Sequence, residues 1–363
     1  MKAWKAQKRP IVVGMRLDDR EDLLLQSAIS LAKKLQSCVE LVHCFEPAIG
    51  YSSAGEILPK ASSQSPSLNN PWSEDRAKAI LNALGSAATD HIDIHIHVER
   101  GDPAENLSRI AKEVGAGLIV CGMHNQRQSW AFKGLSTALS LAFYAPVPVL
   151  ILPLPMTIDF EKPVSILIAD NLGGEGWHVL ESGLQLARYL DCEAIYHSHV
   201  LKANAMDIEA TLRDMKESAK QGRLPRDISF TAELMQKTLL EKINEELFYR
   251  FHNTSCCKDL IKRYHPVAGI GDIDSEVNRI MENSGTRLVI MGRHQFYSNR
   301  RLALDHIPYH AIMERKAGLL VIPNYEEARS RLQENEWESR SNADKDVSEI
   351  PQAATQSYCN SWE

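Results

Sequence analysis

The sequence predicts a duplicated α/β protein: two domains in tandem, each built on a largely parallel sheet with helices on both faces. Three observations predict it. The 363 residues suffice for two domains of ordinary size. Landmarks in the first half recur in the second at fixed offsets. Within each half, apolar strand-like runs alternate with stretches of helical periodicity, the pattern of βαβ units. A composition of 44% hydrophobic and 24% charged residues is that of a chain that buries a core, far from a disordered one.

The duplication is read directly from spacing. IVVGMR ends at Arg16 and SILIAD ends at Asp170, 154 residues later, and His43 in LVHCF stands 154 residues before His197 in IYHSH. Asp102 and Asp272, Arg109 and Arg279, Gly122 and Gly292, His124 and His294, and Pro153 and Pro323 are each 170 apart. One length change of 16 residues, between the second strand and Asp102, reconciles the two sets. The expected domains are residues 1–156 and 157–325, followed by a polar tail over 326–363 that is expected to be partly disordered.

In the first half, the run at 11–15 is a buried strand, and EDLLLQSAISLAKKLQ at 21–36 has helical spacing with Asp19 as its N-cap. A strand at 39–45, a Ser/Pro/Asn-rich loop to Trp72, a helix at 73–87 and a strand at 92–99 follow. Asp102-Pro103-Ala104-Glu105 resembles a capping box with proline at the first helical position, which opens a helix at 104–114. Strand 118–121, a loop, a helix at 136–144 and strand 147–152 close the half. The second half repeats this, with helical sequence at 205–220 and 232–251 where the first has its loop.

The 41 Lys+Arg against 47 Asp+Glu give a net charge of −6, which supplies no electrostatic reason to expect nucleic acid or anionic membrane as a partner. Met1 to Pro10 is basic, but the apolar run behind it stops at Arg16, short of a secretion signal. Leu141 to Met156 holds Pro146, Pro148, Pro153 and Pro155, which forbid one membrane-spanning helix. The seven cysteines form neither a CxxC pair nor a regular framework, and reduced thiols in a cytoplasmic protein are the expectation.

The closing regions CGMHNQRQSWAFKGLSTALSLAFYAPVPVLILP and MGRHQFYSNRRLALDHIPYHAIMERKAGLLVIP carry a specific resemblance. They are similar to the MGxH, loop, helix and AP-x-PVL-x-x-P ending of the universal stress protein family, specifically its tandem members. The resemblance covers about 8–154 and 161–324. It implies flavodoxin-like domains with five strands ordered 3-2-1-4-5 and ATP in a crevice at the strand carboxyl ends. The fused halves would then form an intramolecular pseudo-dimer, with a homodimer also open.

The family's ATP-binding pattern is an Asp closing the first strand, a backbone contact after the second strand's His, and a G-2x-G-9x-G-[ST] loop. Glycines let backbone approach phosphates, and helix N-terminal amides donate to them. In the first half the strand-end position falls on Arg16, and the loop on Gly122, Asn125, Leu135 and Ser136, with Gly134 one residue early. The resemblance therefore assigns phosphate contacts to Gly122, Asn125, Ser136 and Thr137 and an adenine contact to the Cys44 backbone. In the second half Asp170 alone matches, because the loop reads Gly292, Gln295, Asp305 and His306. One carboxylate at 4 Å from phosphate costs on the order of 4 kcal/mol at an effective dielectric of 20. Asp305 also reads as a helix N-cap before Pro308.

His91-Ile92-Asp93-Ile94-His95-Ile96-His97 puts three imidazoles and a carboxylate on one face of a strand. That face reads either as a solvated edge or as ligands for zinc, nickel or copper; the expectation is a solvated face and no metal. His124 and His294 read as structural, no triad spacing accompanies them, and HxGH, SGGxDS and Walker signatures are missing. The expected function is a non-enzymatic stress-tolerance factor with weak or degenerate adenine-nucleotide binding. The alternatives are an ATP-independent module binding a small apolar ligand or a protein through the helical insertion, lined by Met206, Met215, Leu234, Met235, Leu239 and Leu240, and a nucleotide hydrolase or metal-assisted enzyme.

Overall fold

A computed structural model describes residues 7–16, 21–45, 49–51, 57–59, 79, 92–124, 137–174, 176–223, 231–255, 257–293 and 317–323. The first half contains β1 (Ile11–Met15), α1 (Glu21–Leu35), β2 (Val39–Phe45), β3 (Ile49–Tyr51), β4 (Ile57–Pro59), β5 (Ile94–Arg100), α2 (Pro103–Glu113), β6 (Leu118–His124), α3 (Thr137–Tyr144) and β7 (Val149–Leu154). The second contains β8 (Ile166–Ala169), α4 (Gly176–Leu190), β9 (Ile195–Leu201), α5 (Ala205–Lys220), α6 (Ala232–His252), the single turn α7 (Cys257–Leu260), β10 (Tyr264–Ile270), α8 (Ile273–Ser284), β11 (Leu288–Gly292) and β12 (Gly318–Ile322).

Helix starts follow local chemistry. Asp102 accepts from the amide of Glu105 at 2.9 Å with Pro103 behind it, and Asp272 accepts from Ser275 at 3.0 Å at the matching place. Asn204 and Asp207 form a reciprocal capping box at α5, and the Thr231 hydroxyl caps α6. Gly285, with φ of +63°, ends α8 in the left-handed conformation that glycine adopts without strain. In the segment read as a plain loop, β3 and β4 pair antiparallel. The proposed cap Asp19 and most of the 73–87 helix lie outside the described residues.

Ten strands form one sheet in the order β10-β9-β8-β11-β12-β7-β6-β1-β2-β5. Counted within each half this is 3-2-1-4-5 twice, all parallel, and the halves meet where β7 and β12 pair antiparallel with Ile151 opposite Leu319 and Val149 opposite Val321. The chain thus holds two flavodoxin-like α/β sandwiches that share a sheet. Side chains alternate across a strand, so each face needs its own cover. One face joins Val12, Ile119 and Ile151 to Leu167, Val289 and Leu319 in a core shared by both halves and capped by α2, α3 and α8. On the other, α1 contacts α4.

The connection between halves is fastened to α1. The Ser27 hydroxyl accepts from the Ile158 amide at 3.0 Å, and the Ser30 hydroxyl accepts from Phe160 at 3.1 Å, both buried. Phe160 is fully buried beside them. Ser27→Ala leaves the Ile158 N–H buried without its acceptor and is expected to lower stability by about 1–3 kcal/mol in urea titration.

Candidate functional site

In an open α/β sheet, ligands bind beyond the strand carboxyl ends where the strand order reverses. That point lies between β1 and β6 in the first half and between β8 and β11 in the second. The pairing fixes which residues correspond. Met15 lies opposite His43, and the His43 ring donates from Nδ1 to the Met15 carbonyl at 2.9 Å. In the second half His199 donates from Nδ1 to the Asp170 carbonyl at 2.8 Å. The same bond therefore joins Met15 to His43 and Asp170 to His199. This corrects the 154-residue offset: Met15, not Arg16, stands where Asp170 stands, and His199, not His197, matches His43. One extra residue between β8 and β9, a span of 29 against 28, makes the difference, and sequence spacing alone cannot locate it.

The first-half position is therefore apolar. Met15 is buried and Arg16 is exposed just past it. Cys44 sits in β2 one residue beyond His43, opposite Glu99 of β5. Burial, followed by the charge of Glu99, pushes its thiol up to about 11. Gly122 lies in β6 opposite Leu152, where a Cβ would approach Leu154 Cδ1 to 2.7 Å. That close approach gives this glycine a packing role of its own. Thr137 opens α3, while Asn125 and Ser136 lie outside the described residues, as do Gln295, Asp305, His306 and His294.

In the second half, Asp170 sits at the end of β8 with no exposed side-chain surface. Its carboxylate accepts from the Leu172 amide at 2.8 Å and from His197 Nε2 at 3.0 Å, and pairs with the Arg250 guanidinium at 3.4 Å. Gly176 opens α4 directly against it: a Cβ there would lie 2.0 Å from Oδ1. Arg250 comes from the far end of α6, itself 6% exposed. It also donates to the carbonyls of Gly173, at 3.0 Å, and Leu172, binds Glu246 at 3.0 Å, and places its guanidinium 5.3 Å from the Trp177 ring.

The chain of contacts continues through His197 Nδ1 to the Tyr264 hydroxyl at 2.7 Å, which also lies 2.9 Å from the Leu247 carbonyl. Tyr264 stacks on Phe251 of α6. A hydroxyl has one proton to give. With Arg250 and Asp170 charged, a neutral His197 keeps the network balanced, so Nε2–H donates to Asp170 and Tyr264 donates to Nδ1. Protonating His197 turns the Tyr264 hydroxyl onto Leu247. Burial holds the His197 pKa below its ordinary value despite Asp170. Burial pushes Asp170 up, but the His197 hydrogen bond, the adjacent positive charge and the Leu172 amide outweigh it and hold Asp170 below the usual carboxylate range.

Asp170 is thus reached by the residues that neutralise it and is covered by α6. Sequence reading missed Arg250, although a signal was present. Ile243, Leu247 and Phe251 form the buried face of α6, and Arg250 falls on that face, where a charge requires a counter-ion. Of the proposed apolar lining, Met206 is 79% and Leu234 45% exposed, while Met215, Met235, Leu239 and Leu240 are half-buried. The core sides of α5 and α6 are Ile208, Leu212, Ile243 and Leu247. No helix among the described residues is long and apolar enough to cross a membrane.

Two outcomes follow. Arg250→Ala strands a buried carboxylate and is expected to cost about 3–5 kcal/mol in denaturant titration, while Arg250→Met combined with Asp170→Asn recovers most of that loss. Because the folded pKa of His197 lies below its unfolded value, the unfolded chain binds more protons between them, so stability falls as pH drops from about 6.5. His197→Asn is expected to remove that limb from a plot of denaturation midpoint against pH. The Asp170 contribution has the same sign and is lost only below about pH 4.

The model of the universal stress protein family matches residues 8–153. A universal stress protein from Archaeoglobus fulgidus DSM 4304 superimposes with a TM-score of 0.55 at 12% identity, covering 88% of this chain and 98% of its own. A protein from Pseudomonas aeruginosa UCBPP-PA14, described as a universal stress protein, gives 0.53 at 15% identity over 89% and 96%. No curated protein sequence matches significantly. Residues 8–153 are therefore similar to the universal stress protein family, and the second half of the chain repeats the same strand order.

Proposed function

We propose that this protein is a non-enzymatic, cytoplasmic stress-tolerance factor in which any adenine nucleotide is held weakly and by the first half alone. The observation that carries this reading is the Asp170–Arg250 pair: a cation from the protein's own helix fills the only strand-end carboxylate position the two halves retain. The first half keeps Thr137 at a helix N-terminus, where amides and dipole favour phosphate, but offers Met15 where a ribose or adenine anchor would stand. Anion contacts without a base anchor support weak binding. The Asp170–His197–Tyr264 chain resembles a proton relay, yet its buried members face the protein interior, which favours a structural role over a catalytic one.

A second reading rests on exposed apolar side chains. Met206 on α5 and Leu234, Phe248 and Tyr249 on α6 are all solvent-facing and favour a protein partner at the helical insertion.

Calorimetric titration of the full chain with ATP and ADP tests the first reading. Thr137→Asp places a carboxylate where phosphate would sit, while an acidic residue in the first turn favours the helix itself. It is expected to abolish the nucleotide heat, whereas Asp170→Asn leaves it unchanged. Binding that survives Thr137→Asp but vanishes with Asp170→Asn would reverse the assignment, and sustained phosphate release would overturn the non-enzymatic reading.

A further inference from the structure

The His stripe is not simply a solvated face. Glu40 of β2 lies opposite His95 of β5 in the parallel pair, and Val42 opposite His97. Both rings turn onto the Glu40 carboxylate, His95 Nδ1 at 2.8 Å from Oε1 and His97 Nε2 at 2.7 Å from Oε2. Glu40 itself is only 4% exposed. Two residues earlier on the same side of the strand is Cys38, half-buried and reduced. One ligand atom from each of Cys38, Glu40 and His95 lies within 4.8 Å of the others. His91 lies outside the described residues.

We propose that Cys38, Glu40 and His95 bind one divalent transition-metal ion of the zinc type, with His97 orienting the Glu40 carboxylate from its other oxygen. The donor chemistry selects the ion. A sulfur and an imidazole exclude calcium and magnesium, which take oxygen ligands. A thiolate and a carboxylate together balance a 2+ charge, leaving the imidazole neutral. Tetrahedral zinc, with bonds of about 2.0–2.3 Å, sets its ligand atoms about 3.5 Å apart. At that spacing His95 Nδ1 and Glu40 Oε1, 2.8 Å apart, open by about 0.7 Å, while donors at the 4.8 Å limit close by about 1.3 Å; the His95 side chain is exposed, and the ion takes the place of its hydrogen bond to Glu40. The fourth position falls to solvent, and β5 is an outer strand of the sheet, which gives the ion an entry path. A carboxylate held by a second imidazole is the outer-shell arrangement that fixes metal ligands.

The second half supplies an internal comparison. There Tyr196 lies opposite His265, as Glu40 lies opposite His95, and the two rings stack at 5.2 Å. The position of His97 holds Val267 and that of Cys38 holds Ala194. The same fold therefore forms without the thiol and the carboxylate, so Cys38 and Glu40 are not demanded by the architecture, while an imidazole recurs at the position of His95.

The test is titration of the reduced, chelator-treated full chain with Co2+, followed by displacement with Zn2+. The expected result is one Co2+ per chain with tetrahedral visible bands and a thiolate-to-cobalt charge-transfer band, both bleached by Zn2+. Cys38→Ser removes the charge-transfer band, His95→Ala weakens binding, and His97→Ala weakens it about 10–100-fold. His95 is exposed, so His95→Ala retains the parent circular dichroism and separates ligand loss from misfolding. A chain that shows no stoichiometric cobalt spectrum, or one whose spectrum and affinity are unchanged in both Cys38→Ser and His95→Ala, overturns the proposal.

Discussion

A carboxylate with no solvent around it must find positive charge and hydrogen-bond donors inside the protein, and Asp170 sets that demand for the whole second half. Gly176 lets α4 begin against it, the Leu172 amide and His197 donate to it, and Arg250 brings the cation. Because Arg250 also holds the Leu172 and Gly173 carbonyls, α6 is tied to the loop after β8 as well as to the sheet. Removing one partner exposes the others to a desolvation cost that hydrophobic packing does not offset.

The two halves thus share a backbone and differ in what stands at its functional end. Each keeps the imidazole-to-carbonyl bond that binds the second strand to the end of the first. The side chain on that carbonyl's residue is Met15 in one and Asp170 in the other. An apolar end offers no hydrogen bond to a polar ligand, and a carboxylate already paired with guanidinium has its charge balanced within the protein. The duplication has arrived at two different ends from one architecture.

Joining the halves through β7 and β12 also removes two sheet edges, leaving β5 and β10 as the outer strands of the main sheet. Unpaired edges invite further strand addition, and polar side chains discourage it. On β5 that protection comes from His95 and His97, with Glu40 drawing the imidazoles onto the sheet. The fixed connection through Ser27 and Ser30 makes the arrangement of the halves a property of the single chain.

The repeat, the alternation of strands and helices and most element limits are legible in the sequence, because apolar periodicity and capping residues are local: Asp102 caps its helix as its neighbours predict. The correspondence of Met15 with Asp170 is not legible, since a one-residue difference between β8 and β9 leaves no local mark and only strand pairing reveals it. The same holds for Glu40 beneath His95 and His97, and for Arg250 on Asp170, separated by 80 residues. The sequence by itself determined a duplicated α/β chain and the residue types at its strand ends. Tertiary structure alone decided which charges meet, because burial and pairing depend on distance through space rather than along the chain.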